Sequence, residues 1–291
     1  MLEECRMSTP AEQSGTDYVI DAENVAEMAR LTRQARFMTQ ALGLLPTPLD
    51  LTTCQKVLDI GCGPGEWIRE LAERYRGLSI TGIDTSKAMI GYARYLAQEQ
   101  NLGQVNFQLM DARSKLAFAD NSFDLVHARF VSGFLDRQSW PLLLAESLRV
   151  LGPNGILCVT EPVGMGFTTS PAFSRYQSLL AEAWARSGRT FFAGDQWGIT
   201  PLLFRLVEQA GFGRVQSAAH VLNYSHGGPA HQDIIDDWRT ALVLLQPFIC
   251  KTGVASQEEL DLLYARAMEE MQAPDFCAVL FFQTVWGYKP A

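Results

Sequence analysis

The stretch VLDIGCGPGEW, residues 57–67, decides the fold. It ends a predicted strand, turns sharply on its glycines and opens a predicted helix. A turn this tight needs residues without a Cβ, and Gly61 and Gly63 also let the backbone approach a ligand closely. The helix-opening N–H groups beyond Gly65 can meet polar ligand atoms. The segment therefore predicts a strand–turn–helix unit that binds a ligand.

The acidic residue before this turn distinguishes between two nucleotide cofactors. The NAD fingerprint, GxGxxG, needs a glycine at position 66, where this chain has Glu66. Asp59 precedes the first glycine, and a carboxylate there repels the pyrophosphate that a dinucleotide-binding loop must hold. The same carboxylate attracts the ammonium group of S-adenosylmethionine (SAM), which contains no phosphate. The loop therefore favours SAM over NAD.

Beyond the loop, short apolar strands alternate with amphipathic helices. The strand patterns lie at 56–60, 78–83, 105–110, 123–128 and 155–160. The helical patterns lie at 66–76, 86–100 and 139–151. This alternation predicts an α/β, Rossmann-like fold, in which helices cover both faces of a mostly parallel sheet.

The flanking segments add further helices and strands. An N-terminal helix is predicted to have Asp21 as its N-cap, to present an apolar stripe from Val25 to Leu42, and to end at Gly43. Because it precedes the first strand, it is free to lie over the sheet as a lid. Later helices are predicted at 171–187, 200–210, 229–249 and 256–273, and later strands at 214–224 and 275–288.

These patterns divide the chain into three parts. Residues 1–50 are predicted to form an N-terminal helical lid, and residues 51–162 a SAM-binding Rossmann-like core. Residues 163–291 complete the sheet with the last two strands. We expect the helical insertions at about 163–198 and 225–274 to cap the substrate.

Two more carboxylates follow predicted strands where a nucleoside would need them. Asp84 ends the second strand, about twenty residues past the glycines, and can accept both ribose hydroxyls. Asp111 ends the third strand and can accept the adenine amine, while Met89 can cover one adenine face. The ends of three strands therefore predict one site along the carboxyl edge of the sheet.

Five ordered segments, VLDIGCGPG, ITGIDTSKAMI, FQLMDA, NSFDLVHARF and LRVLGPNGILCVTEP, resemble the class I SAM-dependent methyltransferases. The likeness covers residues 55–162 and is greatest to the ubiquinone/menaquinone-biosynthesis-like subgroup. It implies a seven-stranded sheet whose antiparallel last strand, at 275–288, enters between the fifth and sixth. It also implies methyl transfer from SAM to a small molecule, with S-adenosylhomocysteine (SAH) as the product. The helical block at 225–274 departs from the family pattern, and the lack of an NPPY sequence argues against methylation of adenine N6 or glutamine.

The resemblance assigns the methionine part of SAM to the glycine loop and the nucleoside to the next strand ends. The implied cofactor-binding residues are Asp59, Gly61, Cys62, Gly63, Gly65, Asp84, Thr85, Met89, Asp111 and Ala112. If the N-terminal helix is a lid, Tyr18, Arg30 or Gln34 could reach the SAM carboxylate; a solvated helix face is the alternative. Arg129 and Phe130, past the fourth predicted strand, are also expected on the ligand side of the sheet as cofactor-binding residues. Arg129 could pair with the SAM carboxylate, with a substrate anion or in a structural ion pair.

Two residues are predicted as candidates for catalysis. His127 could be a general base, because an unperturbed imidazole titrates near neutrality. Glu161, just past the fifth strand, could orient the acceptor or take its proton. A satisfied strand histidine and a loop carboxylate are the structural alternatives.

The composition disfavours some classes of binding partner. The chain has 291 residues, a formal net charge of −8 and no dense run of Lys or Arg, which disfavours nucleic acid and membrane surfaces as partners. Six scattered cysteines without a CxxC pair predict a reducing compartment and no metal site. The N-terminus has no apolar signal, so the cytoplasm is the expected location. A monomer and a homodimer are both compatible with the sequence.

Three other functions stay open from the sequence. One is an NAD-dependent oxidoreductase, and a second is a non-catalytic SAM-binding protein on the same fold. The third is a SAM-binding enzyme that catalyses another reaction, such as cyclisation or decarboxylation. The acceptor atom, whether oxygen, nitrogen, carbon or sulfur, is not determined by these patterns.

Overall fold

A computed structural model describes Ile20, residues 24–191 and residues 198–291, and it confirms the α/β, Rossmann-like fold. The strands are β1 (Lys56–Ile60), β2 (Ser79–Asp84), β3 (Val105–Leu109), β4 (Phe123–Arg129), β5 (Leu151–Pro162), β6 (Phe167–Thr168), β7 (Gly213–Asn223) and β8 (Ala278–Tyr288). The helices are α1 (Val25–Leu42), α2 (Glu66–Arg74), α3 (Lys87–Glu99), α4 (Ser139–Val150), α5 (Pro171–Arg186), α6 (Thr200–Gln209), α7 (His231–Lys251) and α8 (Gln257–Glu270). A 3-10 turn, Val131–Gly133, follows β4.

The strand order places β1 in the middle of a parallel sheet. Strands β3, β2, β1, β4 and β5 are neighbours in that order and all parallel. Strand β8 pairs antiparallel with β5 on one side and with β7 on the other, as the family resemblance implied. The sequence did not predict β6, which pairs with the start of β8 and is too short to show a period of two.

Helices cover both faces of the sheet because successive strand residues point to opposite faces. In β1, Val57 packs into the cluster that contains residues of α2 and α3, whereas Leu58 packs into the cluster of α4 and α6. Both side chains are fully buried. Burial of such a side chain stabilises the fold by roughly 1.5–3 kcal/mol. The two layers fix the strands and so fix the positions of their carboxyl ends.

A third apolar cluster joins α1, α5, α7 and α8 into a helical cap. Phe173 and Tyr176 of α5 pack in it with Leu242 of α7 and Leu260 of α8, and all four are buried. The Tyr176 hydroxyl also donates a hydrogen bond to the Leu242 carbonyl oxygen at 2.6 Å. The cap therefore has a core of its own, which also includes Leu280 and Phe282 of β8.

The start of α1 and its buried face differ from the sequence prediction. Asn24 is the N-cap, since its side chain accepts hydrogen bonds from the N–H groups of Ala26 and Glu27. Asp21, the predicted N-cap, lies outside the described residues. Val25 of the predicted apolar stripe is 73% exposed, whereas the charged residues Glu27 and Arg30 are buried. Their burial follows from ion pairing, which hydrophobic periodicity does not register.

The described part of the chain lacks two kinds of feature. None of its His, Cys, Asp and Glu side chains form a group that could hold a metal ion. None of its helices combines the length and apolarity needed to span a bilayer.

Candidate active site

A cavity lies at the carboxyl ends of β1, β2 and β4, beneath α1. We call it the strand-tip cavity. Its lining comes from the glycine loop, the starts of α3 and the 3-10 turn, and the inner side of α1. The lining residues are Leu31, Gln34, Ala35, Asp59, Gly61, Cys62, Gly63, Pro64, Trp67, Ile83, Asp84, Thr85, Ser86, Met89, Met110, Ala112, His127, Arg129, Phe130 and Phe134.

Asp59 and His127 form a buried pair at one end of this cavity. They are neighbours across β1 and β4, and the His127 Nδ1 lies 2.7 Å from the Asp59 Oδ1. The imidazole stacks on the Trp67 indole, with ring centroids 3.7 Å apart and planes 3° apart. Burial lowers the pKa of His127, which outweighs the opposing effect of Asp59. A neutral imidazole that donates from Nδ1 orients Asp59, which fits a positioning role for His127 as well as its predicted role as a base.

Asp84 is tied to the glycine loop. Its Oδ2 accepts a hydrogen bond from the Gly63 N–H at 2.9 Å, and its Oδ1 accepts one from the Ser86 N–H at 2.9 Å. Burial raises the pKa of the Asp84 carboxyl against the effect of these hydrogen bonds. A carboxylate oxygen can accept two hydrogen bonds, so each oxygen retains capacity toward the cavity.

Two glycines of the loop serve different purposes. A Cβ on Gly63 would meet no protein atom within 4 Å, although its φ of +51° is unfavourable for other residues. A Cβ on Gly65 would lie 2.7 Å from the Phe107 ring. Gly63 therefore leaves space in the cavity free for a ligand, whereas Gly65 lets the protein pack against itself.

The far end of the cavity is apolar, and Asp111 is turned away from it. Met89, Met110 and Ala112 line the cavity there. Asp111 instead accepts hydrogen bonds from the Arg113 side chain, the shortest at 2.8 Å, and does not line the cavity. Burial acts to raise the pKa of Asp111, but the hydrogen bonds and charge of Arg113 lower it.

Arg129 brings a positive charge to the cavity. Its Nη2 donates a hydrogen bond to the Thr39 hydroxyl of α1 at 2.9 Å, and burial lowers its pKa to about 10. Among the described residues, no carboxylate forms a salt bridge with it. A partly buried guanidinium with unused donors is suited to bind an anionic group of a ligand.

Phe130 follows Arg129 in the left-handed conformation, with φ +61°. Such a backbone is uncommon for a bulky residue and is found where function or packing requires it. Its N–H donates to the Thr160 carbonyl oxygen at 2.9 Å, which fixes the end of β4 against β5. The ring lies 5.6 Å from the Phe282 ring and lines two cavities.

The second cavity lies inside the helical cap, and we call it the cap cavity. It shares Gln34 and Phe130 with the strand-tip cavity. Its walls are mainly apolar and include Met38, Met165, Leu180, Trp184, Ile234 and Phe282. One side is polar: Asp237 of α7 accepts hydrogen bonds from Arg30 Nη1 at 2.9 Å and from Gln34 Nε2 at 3.0 Å.

Glu161 supports the turn after β4. Its carboxylate is fully buried and accepts hydrogen bonds from the Val131 N–H at 2.8 Å and the Ser132 hydroxyl at 2.6 Å. Burial raises its pKa to about 7. Glu161 lines neither cavity, but Ser132 lines the cap cavity. The acceptor could therefore exchange a proton with Glu161 only through Ser132.

The structure brings most of the predicted cofactor residues to one cavity. Those that line it are Gln34, Asp59, Gly61, Cys62, Gly63, Asp84, Thr85, Met89, Ala112, Arg129 and Phe130. Arg30 lies in the cap cavity instead, while Gly65 and Asp111 line neither cavity. Tyr18 lies outside the described residues.

Sequence reasoning missed several lining residues. Ser86 and Met110 adjoin predicted residues along the chain, so proximity to Thr85 and Asp111 was an available signal. Ser132 could have been found from its place just beyond the fourth strand. Asp237 gave no such signal, because it lies within a helix far from the motifs.

Comparisons with known proteins identify a methyltransferase domain in the chain. Residues 57–155 match a family model described as a methyltransferase domain. A trans-aconitate 2-methyltransferase from Delftia acidovorans is 33% identical over 131 residues, which are 45% of this chain and 46% of that protein. Phosphoethanolamine N-methyltransferase 3 from Arabidopsis thaliana is 34% identical over 131 residues, 44% of this chain and 25% of that protein. The chain thus matches less than half the length of these relatives.

A solved structure extends the likeness of fold beyond the matched domain. The YcgJ protein from Bacillus subtilis has a TM-score of 0.53 and 16% identity, over 89% of this chain and 99% of that one. The ubiquinone/menaquinone-like subgroup remains a prediction. The match over residues 57–155 supports a class I SAM-dependent methyltransferase.

Proposed function

We propose that this protein transfers the methyl group of SAM to a small, partly apolar or aromatic molecule. One observation carries the proposal: the strand-tip cavity and the cap cavity share Gln34 and Phe130. Ligands in the two cavities would therefore meet at these side chains. Small-ligand sites are mostly apolar with a few placed polar groups, and the cap cavity has that character.

The residues of the strand-tip cavity fit SAM. The free space at Gly63 accommodates a ligand close to the backbone. Asp59 suits the ammonium group of SAM, Arg129 suits its carboxylate, and Asp84 suits its ribose. The apolar end formed by Met89, Met110 and Ala112 suits adenine.

The protein's main contribution to the reaction would be placement. Bound SAM supplies a methyl group on a sulfonium, which is already a good leaving group. Alignment of two reactants contributes roughly 7–11 kcal/mol in favourable model systems. Helix α1 lines both cavities, so it would exclude water from the place beside Phe130 where acceptor and cofactor meet.

For an acceptor that must lose a proton, Ser132 provides a route from the cap cavity to the buried Glu161. Ser132 Oγ would accept the acceptor's proton while its own hydroxyl proton passes to Glu161, 2.6 Å away. The raised pKa of Glu161, about 7, makes it able to hold a proton near neutrality. His127 lines the strand-tip cavity, so in this proposal it orients Asp59.

The acceptors named for two relatives do not identify the acceptor here. Trans-aconitate and phosphoethanolamine have little in common besides an anionic group. The acceptor class must therefore be argued from the cap cavity of this chain.

The proposal is tested first by calorimetric titration with SAH and with NADH. We expect SAH to bind at one site and NADH not to bind. Incubation with methyl-labelled SAM and a panel of apolar alcohols and amines should then give a product heavier by one methyl group. Binding of NADH without SAH would establish an oxidoreductase, and a cyclised or decarboxylated product would establish another SAM-binding enzyme.

A further inference from the structure

In the part of the chain that the structure describes, the charged groups at the cap cavity are one guanidinium and the two carboxylates that pair with it. Arg30 is the one cationic side chain among its described lining residues. Its Nε and Nη2 donate to the two carboxylate oxygens of Glu27, both at 2.7 Å, and its Nη1 donates to Asp237 at 2.9 Å. Two carboxylates therefore already share this guanidinium, and all three groups are buried.

Asp237 is the carboxylate that faces the cap cavity. Glu27 is fully buried and does not line the cavity, whereas Asp237 does. Asp237 Oδ1 accepts a hydrogen bond from Arg30, and Oδ2 accepts one from Gln34. Because a carboxylate offers about four acceptor positions, Asp237 retains capacity for a donor on a ligand. Burial raises the pKa of Asp237, so a donor that stabilises its charged form would be favoured.

We infer that the acceptor is an apolar molecule whose polar group donates a hydrogen bond to Asp237, a hydroxyl or an ammonium, and that anionic molecules are rejected. This inference rests on the proposed function. A ligand anion would be buried beside a carboxylate, and the nearest guanidinium is already shared by two. Burial of a charge without its own partner is costly, so the discrimination should be large.

Gln34 connects the proposed acceptor contact at Asp237 with the cofactor cavity. It lines both cavities and is bonded to Asp237, so α1 reaches the acceptor side through the same carboxylate. If the methyl acceptor donates a hydrogen bond to Asp237, its polar group would lie next to Gln34, which also borders the cofactor cavity. The contact would thereby place the acceptor relative to the methyl group.

Four probes with one chain length test the inference: 1-octanol, octylamine, octanoate and octyl phosphate. Each is titrated calorimetrically into the full chain saturated with SAH. We expect octanol or octylamine to bind at least tenfold more tightly than octanoate and octyl phosphate. The better of the two identifies the donor as a hydroxyl or an ammonium.

Two results would overturn the inference. One is that octanoate or octyl phosphate binds as tightly as the neutral and cationic probes. The other is that none of the four binds although SAH does. A chain that does not bind SAH contradicts the proposed function instead, so the two failures are distinguishable.

Two substitutions test whether Asp237 causes the preference among the probes. Asp237→Asn keeps the shape but removes the charge, so the preference for octylamine over octanoate should fall at least tenfold. Asp236→Asn is the matched control, because Asp236 pairs with Arg239 on the surface of the same helix and lines neither cavity. It should leave all four affinities unchanged within twofold.

A second variant covers the possibility that Asp237→Asn does not fold. Leu180→Trp would fill the cap cavity from α5. We expect loss of octanol and octylamine binding with the SAH affinity retained. Unchanged probe binding in this variant would place the probes outside the cap cavity and contradict the inference.

Discussion

The two cavities are built in different ways. The strand-tip cavity takes most of its polar groups from strand ends and from the turns that follow them, and backbone hydrogen bonds fix their positions, as between Gly63 and Asp84. The cap cavity takes its polar group from a contact between Arg30 and Asp237, 207 residues apart in the sequence. The first site follows from local structure, whereas the second depends on how helices pack. The cofactor can therefore be inferred from motifs, and the acceptor only from the folded chain.

The largest expected effect is at the glycine that leaves room for a ligand. Gly63→Val should weaken SAH binding by more than a hundredfold, about 2.7 kcal/mol, because its side chain occupies the open space beside the loop. The measurement is calorimetric titration with SAH.

A matched control separates this effect from backbone strain. Gly227 also has a positive φ, +74°, and free space around its Cβ position, but it lines neither cavity. Gly227→Val should lose a similar amount of unfolding free energy and keep its SAH affinity. Equal affinities in the two variants would remove Gly63 from the cofactor site.

The second largest loss of SAH affinity is expected when the guanidinium of Arg129 is removed. Arg129→Gln should weaken SAH binding by about thirtyfold, roughly 2 kcal/mol, the usual range for a hydrogen-bonded charged pair. 5′-Methylthioadenosine lacks the amino-acid part of SAH, so its affinity should change less than threefold. If both ligands lost affinity equally, Arg129 would support the cavity rather than bind the carboxylate.

A smaller loss of SAH affinity is expected at Asp84, and it is to be compared with the loss at Asp111. Asp84→Ala should weaken SAH binding at least tenfold, about 1.4 kcal/mol, because Asp84 faces the cavity beside the glycine loop. Asp111→Ala should weaken it less than threefold, since Arg113 holds Asp111 away from the cavity. A larger loss in the Asp111 variant would restore the adenine contact that the sequence predicted.

The smallest expected effect is on the pH dependence of stability, and it comes from Glu161, which supports the turn at Val131–Gly133. Burial raises the pKa of Glu161 from 4.5 to about 7. Folded Glu161 therefore holds its proton in a pH range where the unfolded chain has lost it. Its contribution to stability is complete below about pH 4.5 and is lost as the pH rises through 7.

Denaturant unfolding of the wild type and Glu161→Gln measures this contribution. The unfolding free energy of the wild type relative to the variant should be higher at pH 5 than at pH 8. An unchanged difference would show that Glu161 has the same pKa in the folded and unfolded chain.

Sequence patterns predicted the sheet and the strand–turn–helix unit at residues 57–67 for a physical reason. Glycines at fixed spacing, apolar strands and helix caps act over a few residues, and the strand ends of a parallel sheet must then meet at one edge. Asp59 and Asp84 could be placed in this way.

The remaining differences come from pairing across the fold. The sequence pattern of α1 does not show that Glu27 and Arg30 are buried, because Arg30 is paired with Glu27 and also with Asp237 of α7. Asp111 stands where a nucleoside ligand is expected, but Arg113, two residues on, bonds to it. Neither arrangement produces a periodic signal, so only the folded chain reveals it.

We propose that the ends of β1, β2 and β4 hold a phosphate-free, cationic nucleoside. A crystal structure of the protein with SAH tests it most directly. We predict SAH in the strand-tip cavity, with its ribose hydroxyls within about 3.2 Å of Asp84 and its carboxylate at Arg129. SAH bound away from these residues would contradict the account.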